Sequence, residues 1–244
     1  MNTVSRVQPK LASSERGFGP AVSQLWSPAP RPVRRLVQLY AGLALYGFSD
    51  ALLVLAALGL DPWDVLHQGL ARHTGIAIGT WTIIVGAAVL LLWIPLRQWP
   101  GLGTASNVVV IGLMVNLTLA EVPVPHGWPL RVLTLLAGVV LNGIATGCYI
   151  GAGLGPGPRD GLMTGLIKRR GGSIRIVRTG IELTVLAIGW LLGGTVGVGT
   201  VVYAVGIGPL AHLFIPLFGR GLARTPSTST PPSADPVEET PCPT

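Results

Sequence analysis

The most constraining feature of this sequence is a segment that recurs without gaps 96 residues later. Residues 59–70 (GLDPWDVLHQGL) align with residues 155–166 (GPGPRDGLMTGL), and at the same offset residues 101–104 (GLGT) align with residues 197–200 (GVGT). Glycine matches are common in a chain with 34 glycines, but proline and aspartate matches inside one short window are not. Because apolar stretches surround each copy, the sequence predicts a duplicated membrane unit.

Composition excludes an ordinary soluble domain. Charged residues make up 11% of the chain and hydrophobic residues 49%, whereas soluble domains average about 25% charged residues. Six apolar stretches approach the roughly 20 residues that a helix needs to cross a bilayer. They are residues 36–59, 77–96, 102–120, 130–153, 174–193 and 200–217. We therefore predict an all-α polytopic membrane protein with about six transmembrane helices.

The six stretches form two tandem units of three helices. We place the first unit at residues 36–123 and the second at residues 124–219. The flanking segments, a basic one at residues 1–35 and a Pro/Ser/Thr-rich one at residues 220–244, are too poor in apolar residues to form a core. Both are predicted to be disordered tails.

The distribution of basic residues predicts the orientation. With the N-terminus inside and six crossings, 15 of the 17 lysines and arginines lie on the cytoplasmic side, and only Arg72 and Arg131 lie outside. Basic residues near helix ends are preferentially retained in the cytoplasm. We expect a bacterial plasma membrane protein with both termini cytoplasmic. Because each unit has three crossings, the second copy should be inverted relative to the first, as in many secondary transporters.

Each unit is predicted to carry a short interfacial or re-entrant helix after its first span. Asp61 can cap the first of these helices, with Pro62 at its first position and Asp64 in its first turn. The acids of the two copies either stabilise these helix starts or form symmetry-related gates on an ion pathway. The candidate motif residues are Pro62, Asp64, Gly69, Pro158, Asp160 and Gly165.

Polar residues inside the apolar stretches are candidates for a substrate or ion pathway. Asp50 and Glu182 are the acids well inside predicted helices, where an unpaired charge costs roughly 3 kcal/mol or more. We expect them to face the bundle interior; alternatively, Glu182 neutralises Arg178 one turn earlier. The other candidates are Asn107, Asn116, Asn142 and His212.

No enzyme, cofactor or metal signature is present in the sequence. It lacks a phosphate-binding loop, a nucleophile elbow and metal ligands at short spacing. Cys148 and Cys242 support neither a disulfide nor a zinc site. The formal charge of +7 is explained by orientation and by anionic lipid, so we expect no nucleic-acid partner.

The first motif, together with Gly75 and the Gly79-Thr80-Trp81 entry to the next helix, resembles the YczE/YyaS/YitT-type bacterial integral membrane proteins. The resemblance covers roughly residues 35–218, and it implies the membrane fold without assigning a substrate or site residues.

Two functional hypotheses follow. The first is a small secondary transporter or exporter of an unknown small solute, with alternating access between inverted repeats. The alternative is a membrane accessory or regulatory protein that acts through a protein partner. Glycines four residues apart, at positions 143, 147 and 151, are expected to pack helices closely and could support a homodimer in the lipid bilayer.

Overall fold

A computed structural model describes residues 32–170 and 173–219. Secondary structure in these two ranges is entirely helical. The eight helices there are α1 (Pro32–Ala56), α2 (Pro62–Thr74), α3 (Ile78–Trp93), α4 (Leu102–Glu121), α5 (Trp128–Gly151), α6 (Pro158–Arg170), α7 (Ile174–Leu191) and α8 (Val198–Gly219). The predicted tails lie outside the described residues, except that residues 32–35 form the start of α1.

The starts of the helices keep the spacing seen in the sequence. The helices α1 and α5 begin at residues 32 and 128, α2 and α6 at 62 and 158, α3 and α7 at 78 and 174, and α4 and α8 at 102 and 198. Each helix in the second group of four therefore begins 96 residues after its counterpart. We call helices α1–α4 the first half and helices α5–α8 the second half.

The two halves meet at α1 and α5, which run antiparallel. Near the start of α1, Arg35 Nε donates to the Ala152 carbonyl oxygen at 2.8 Å, just beyond the end of α5. Near the start of α5, Arg131 Nε donates to the Ala56 carbonyl oxygen at 2.8 Å, at the end of α1. The last carbonyls of a helix lack intrahelical hydrogen-bond donors and carry partial negative charge. A guanidinium group donates hydrogen bonds to these carbonyls and offsets the charge. The start of each helix thus binds the end of the other.

Within each half, the first and fourth helices run parallel. Tyr40 and Ser106 hydroxyls lie 3.2 Å apart near the starts of α1 and α4, and further along Gly47 lies against the Ile111 backbone. The chain must therefore return between α1 and α4, and it does so through α2 and α3, whose axes differ by 116°.

Glycines on α5 bring α8 close. A Cβ added at Gly143 would lie 2.6 Å from the Leu210 Cβ, and one added at Gly147 would lie 2.6 Å from the Phe214 Cβ. Small residues let membrane helices approach in this way. These glycines therefore pack α8 of the same chain, so they are not free for the homodimer contact predicted from the sequence.

Long apolar helices are fewer than the sequence predicted. Of the helices in the described ranges, α1, α4, α5 and α8 are long and apolar enough to span a membrane, and the bent α2–α3 pair could count as a fifth span. Helix α3 has only 16 residues, and α7 carries Arg175, Arg178 and Glu182 within its 18 residues. The architecture is that of an all-α polytopic membrane protein. In the described ranges, however, four of the six predicted spans are long apolar helices by themselves, and α3 and α7 are not.

The short helices exchange partners between the halves. Helix α2 packs on α7, where a Cβ at Gly69 would lie 2.7 Å from the Gly189 carbonyl oxygen. Helix α6 packs on α3 and the turn after it, where a Cβ at Gly165 would lie 3.0 Å from Leu96 Cδ1. This exchange places the first turns of α2 and α6 between the two halves.

Candidate functional site

The first turn of α2 has the cap that the sequence predicts. Asp61 precedes the helix with extended backbone angles, and its Oδ1 accepts a hydrogen bond of 2.6 Å from the Asp64 backbone N–H. Pro62 occupies the first helical position, and Gly75 ends the helix at φ +73°. The cap therefore fixes the residue at which α2 begins, between the two halves.

Three aspartates meet at this point. Asp61 and Asp64 come from the start of α2 and Asp50 from α1, and one carboxylate oxygen of each lies within 4.8 Å of the others. All three residues are at most 1% exposed. We refer to Asp50, Asp61 and Asp64 as the aspartate cluster. Buried carboxylates are rare unless they are paired or bind a cation.

An amide from the other half orients Asp50. Asn142 Nδ2 on α5 donates to Asp50 Oδ1 at 2.7 Å and lies 3.0 Å from Ser49 Oγ. The Tyr203 hydroxyl on α8 donates to Asn142 Oδ1 at 3.1 Å. With its oxygen accepting from Tyr203, Asn142 directs its amino group at Asp50.

The other two aspartates have different partners. His67 Nδ1 lies 3.1 Å from Asp64 Oδ1 and 3.2 Å from Thr82 Oγ1 on α3. Arg159 on α6 donates from one guanidinium nitrogen to Asp61 Oδ2 at 3.1 Å. The same guanidinium lies over the Trp63 ring, 5.0 Å from its centroid, in the geometry of a cation–π contact.

Two carboxylate oxygens of the cluster are not satisfied by protein groups. Within residues 32–170 and 173–219, Asp50 Oδ2 and Asp64 Oδ2 are buried and have no hydrogen-bond partner. Most buried polar atoms in proteins have at least one partner, so two orphan oxygens in one cluster require an explanation.

A cavity of about 670 Å³ lies beside the cluster. Asp61, His67 and Arg159 reach its wall. Helices of both halves line it, and the sequence-predicted residues among its lining are Pro62, Asn107, Pro158, Asp160, Glu182 and His212. Burial raises the pKa of the Asp160 carboxyl above its usual range, while Arg178 and Arg159 oppose that rise.

The structure separates the two acids that the sequence grouped together. Asp50 belongs to the aspartate cluster, whereas Glu182 is half-buried on the cavity wall and accepts from Arg178 Nε at 3.0 Å. This contact matches the alternative in which Glu182 neutralises Arg178. Asn116 serves another contact, accepting from the Gly79 backbone N–H at 2.9 Å and lying 3.1 Å from Thr80 Oγ1.

Sequence reasoning missed several members of the site. It treated Asp61 only as a cap, and it did not select His67, Arg159 or Tyr203. A usable signal was present in the run DPWD at residues 61–64, because acids three positions apart on a helix lie near one face. Arg159 and Tyr203 reach the site through the packing of the second half, which local sequence does not encode.

Residues 33–216 match the model of a family of unknown function, DUF6198. The chain belongs to this family. Its relatives include an uncharacterized protein of Haemophilus influenzae, 40% identical over 82% of this chain and 90% of that protein. An uncharacterized membrane protein of Bacillus subtilis, YczE, is 36% identical over 75% of this chain and 86% of that protein.

A second Bacillus subtilis relative, the uncharacterized protein YyaS, is 25% identical over 73% of this chain and 91% of that protein. The comparison with solved structures gives no match. The resemblance to YczE-type membrane proteins is thus confirmed, and this DUF6198 member is a multi-pass membrane protein.

Proposed function

We propose that this DUF6198 protein is a small secondary transporter whose inverted halves give a central cavity alternating access to the two sides of the plasma membrane. The observation that carries the proposal is a set of reciprocal contacts between antiparallel halves. Besides the two arginine contacts, the Gly103 N–H donates to the Leu154 carbonyl at 2.9 Å, and the Gly199 N–H donates to the Leu58 carbonyl at 2.8 Å. The two hydrogen bonds are equivalent under the repeat: Gly199 lies 96 residues after Gly103, and Leu58 lies 96 residues before Leu154. The same relation holds between the two arginine contacts.

Reciprocal contacts of this kind define an approximate twofold axis, as in an isologous dimer. Since α1 and α5 run antiparallel, this axis lies across the helices and so in the plane of the membrane. In this proposal helices α3 and α7 cross as well, since the chain returns through each of them between two parallel spans. The proposed topology therefore has six crossings, and it is supported by Arg175, Arg178 and Glu182 at the start of α7, which line the cavity. Inverted repeats about such an axis are a recurrent transporter architecture.

The cavity supports transport of a small solute. Its volume of about 670 Å³ falls in the range of small-molecule sites, roughly 300–1,000 Å³. Its wall combines aromatic residues with ionisable groups from both halves, including Tyr46, Arg159 and Glu182. A rocking motion of one half against the other would expose these groups first to one side and then to the other.

The test is the accessibility of one cavity position from both sides. Thr146 lines the cavity on α5, and a Thr146→Cys variant would be made in a chain lacking Cys148 and Cys242. We expect a membrane-impermeant thiol reagent to modify it in right-side-out vesicles and also in inverted vesicles. The neighbouring Ala145→Cys variant is the matched control, since Ala145 is fully buried and should stay unreactive in both preparations.

Modification of Thr146→Cys from one side only would contradict alternating access. A fixed cleft of that kind would favour the accessory or regulatory function. The orientation is proposed separately: both termini lie in the cytoplasm because most basic residues then face inside.

A further inference from the structure

We propose that the aspartate cluster binds a divalent cation of the oxygen-preferring class, such as Mg²⁺, Mn²⁺ or Ca²⁺. The proposal stands on the geometry of Asp50, Asp61 and Asp64, and it does not require that the protein transports a solute.

The separations of the carboxylates fit a shared ion. One oxygen from each aspartate lies within 4.8 Å of the others. Oxygens on one cation lie at most about twice the metal–oxygen distance apart, which is roughly 4.2 Å for Mg²⁺ and up to about 5 Å for Ca²⁺. The upper limit of 4.8 Å lies within the span of Ca²⁺ but exceeds that of Mg²⁺, so the carboxylates would have to approach one another more closely around the smaller ion.

The orphan oxygens are an independent indication of a ligand. Asp50 and Asp64 are each 1% exposed, and in the described part of the chain neither Oδ2 has a hydrogen-bond partner. The other oxygen of each residue has a partner. Asp50 Oδ1 accepts from Asn142 Nδ2, and Asp64 Oδ1 lies 3.1 Å from His67 Nδ1. The partners thus orient both carboxylates while leaving one oxygen of each for an ion.

Charge favours a divalent ion over a monovalent one. Three ionised carboxylates carry three negative charges. Among the residues described Arg159 contacts Asp61 as a cation, and His67 contacts Asp64 but adds a positive charge only if it is protonated; with His67 neutral, Arg159 supplies the one positive charge. Two negative charges remain, which one divalent cation would neutralise. The donors are all carboxylate oxygens, which suit Mg²⁺, Mn²⁺ and Ca²⁺ rather than metals that prefer nitrogen or sulfur. Water from the adjacent cavity can complete the coordination, as is usual for Mg²⁺.

The site belongs to one half only. The positions 96 residues after the three aspartates are Thr146, Gly157 and Asp160, so the second copy retains a single carboxylate. Asp61 is the member that reaches the cavity wall, which gives the ion a route of entry. We therefore expect one ion per chain.

The test uses Mn²⁺ as the probe on the purified full-length protein in detergent after treatment with a chelator. The electron paramagnetic resonance signal of free Mn²⁺ gives the amount bound as Mn²⁺ is added, and it should indicate one saturable site per chain. Mg²⁺ or Ca²⁺ should compete for this site. The Asp50→Asn and Asp64→Asn variants should weaken Mn²⁺ binding at least tenfold, whereas Asp160→Asn, which keeps the cluster intact, should bind as the unaltered protein does.

Three results would overturn the assignment. They are no saturable Mn²⁺ binding to the unaltered protein, equal weakening by Asp160→Asn, and displacement of Mn²⁺ by Na⁺ at matched ionic strength as effectively as by Mg²⁺. The stoichiometry and the competition are measured on the unaltered chain, so the test does not depend on the folding of any variant.

Discussion

Asp61 illustrates how one residue joins local and tertiary structure. Its carboxylate caps α2 through the Asp64 N–H and also accepts from Arg159 of the other half. The cap could be predicted from the sequence because it depends on residues three positions apart. The contact with Arg159, 98 residues away, could not. The same distinction applies to the aspartate cluster, since Asp50 joins it only when its position on α1 comes close to the first turn of α2.

At the residue scale, we predict that Arg159→Met lowers the free energy of unfolding by about 3 kcal/mol, because it leaves the buried Asp61 carboxylate without its cation. Adding Asp61→Asn should recover part of the loss. Denaturant unfolding in detergent measures both. The matched control is Arg178→Met, which removes a partly exposed pair with Glu182 on the cavity wall and should cost no more than about 1 kcal/mol. Equal costs for the two arginine variants would contradict the prediction.

At the element scale, the helices are positioned by close backbone contacts at glycines. The sequence predicted the starts of the motif helices, since proline, aspartate and glycine mark them locally. It did not predict that α3 and α7 are too short or too charged to qualify as long apolar spans. The charges of α7 are visible in the sequence, but the cavity that Arg175, Arg178 and Glu182 line is formed by both halves, and local sequence does not encode it. Hydropathy alone treats every stretch as if it faced lipid.

We predict opposite effects for two glycine substitutions within helices. A Cβ at Gly47 would lie 2.5 Å from the Ile111 carbonyl oxygen, so Gly47→Ala should separate α1 from α4 and cost about 1–3 kcal/mol. In the described part of the chain, a Cβ at Gly180 on α7 would meet no atom within 4 Å. Gly180→Ala should therefore raise stability by up to about 1 kcal/mol, because alanine is the better helix former. Thermal unfolding of both variants checks this, and a loss at Gly180 as large as that at Gly47 would contradict it.

At the scale of the whole molecule, the reciprocal contacts predict that equivalent residues contribute equally. Arg35 and Arg131 each donate two hydrogen bonds to carbonyls at the end of the opposite helix. Arg35→Ala and Arg131→Ala should each lower the free energy of unfolding by about 2 kcal/mol. Chemical denaturation compares them, and a difference between them of more than about 1 kcal/mol would argue against equivalent roles.

The inverted arrangement is tested most directly by labelling two equivalent exposed positions from defined sides. His73 at the end of α2 and Arg169 at the end of α6 are both exposed and lie 96 residues apart. Each would be replaced by a single cysteine in a chain lacking Cys148 and Cys242, and intact cells would be treated with a membrane-impermeant thiol reagent. We expect His73→Cys to react in intact cells and Arg169→Cys to react only after lysis. Reaction of both positions from the same side would contradict the inverted halves, and with them alternating access.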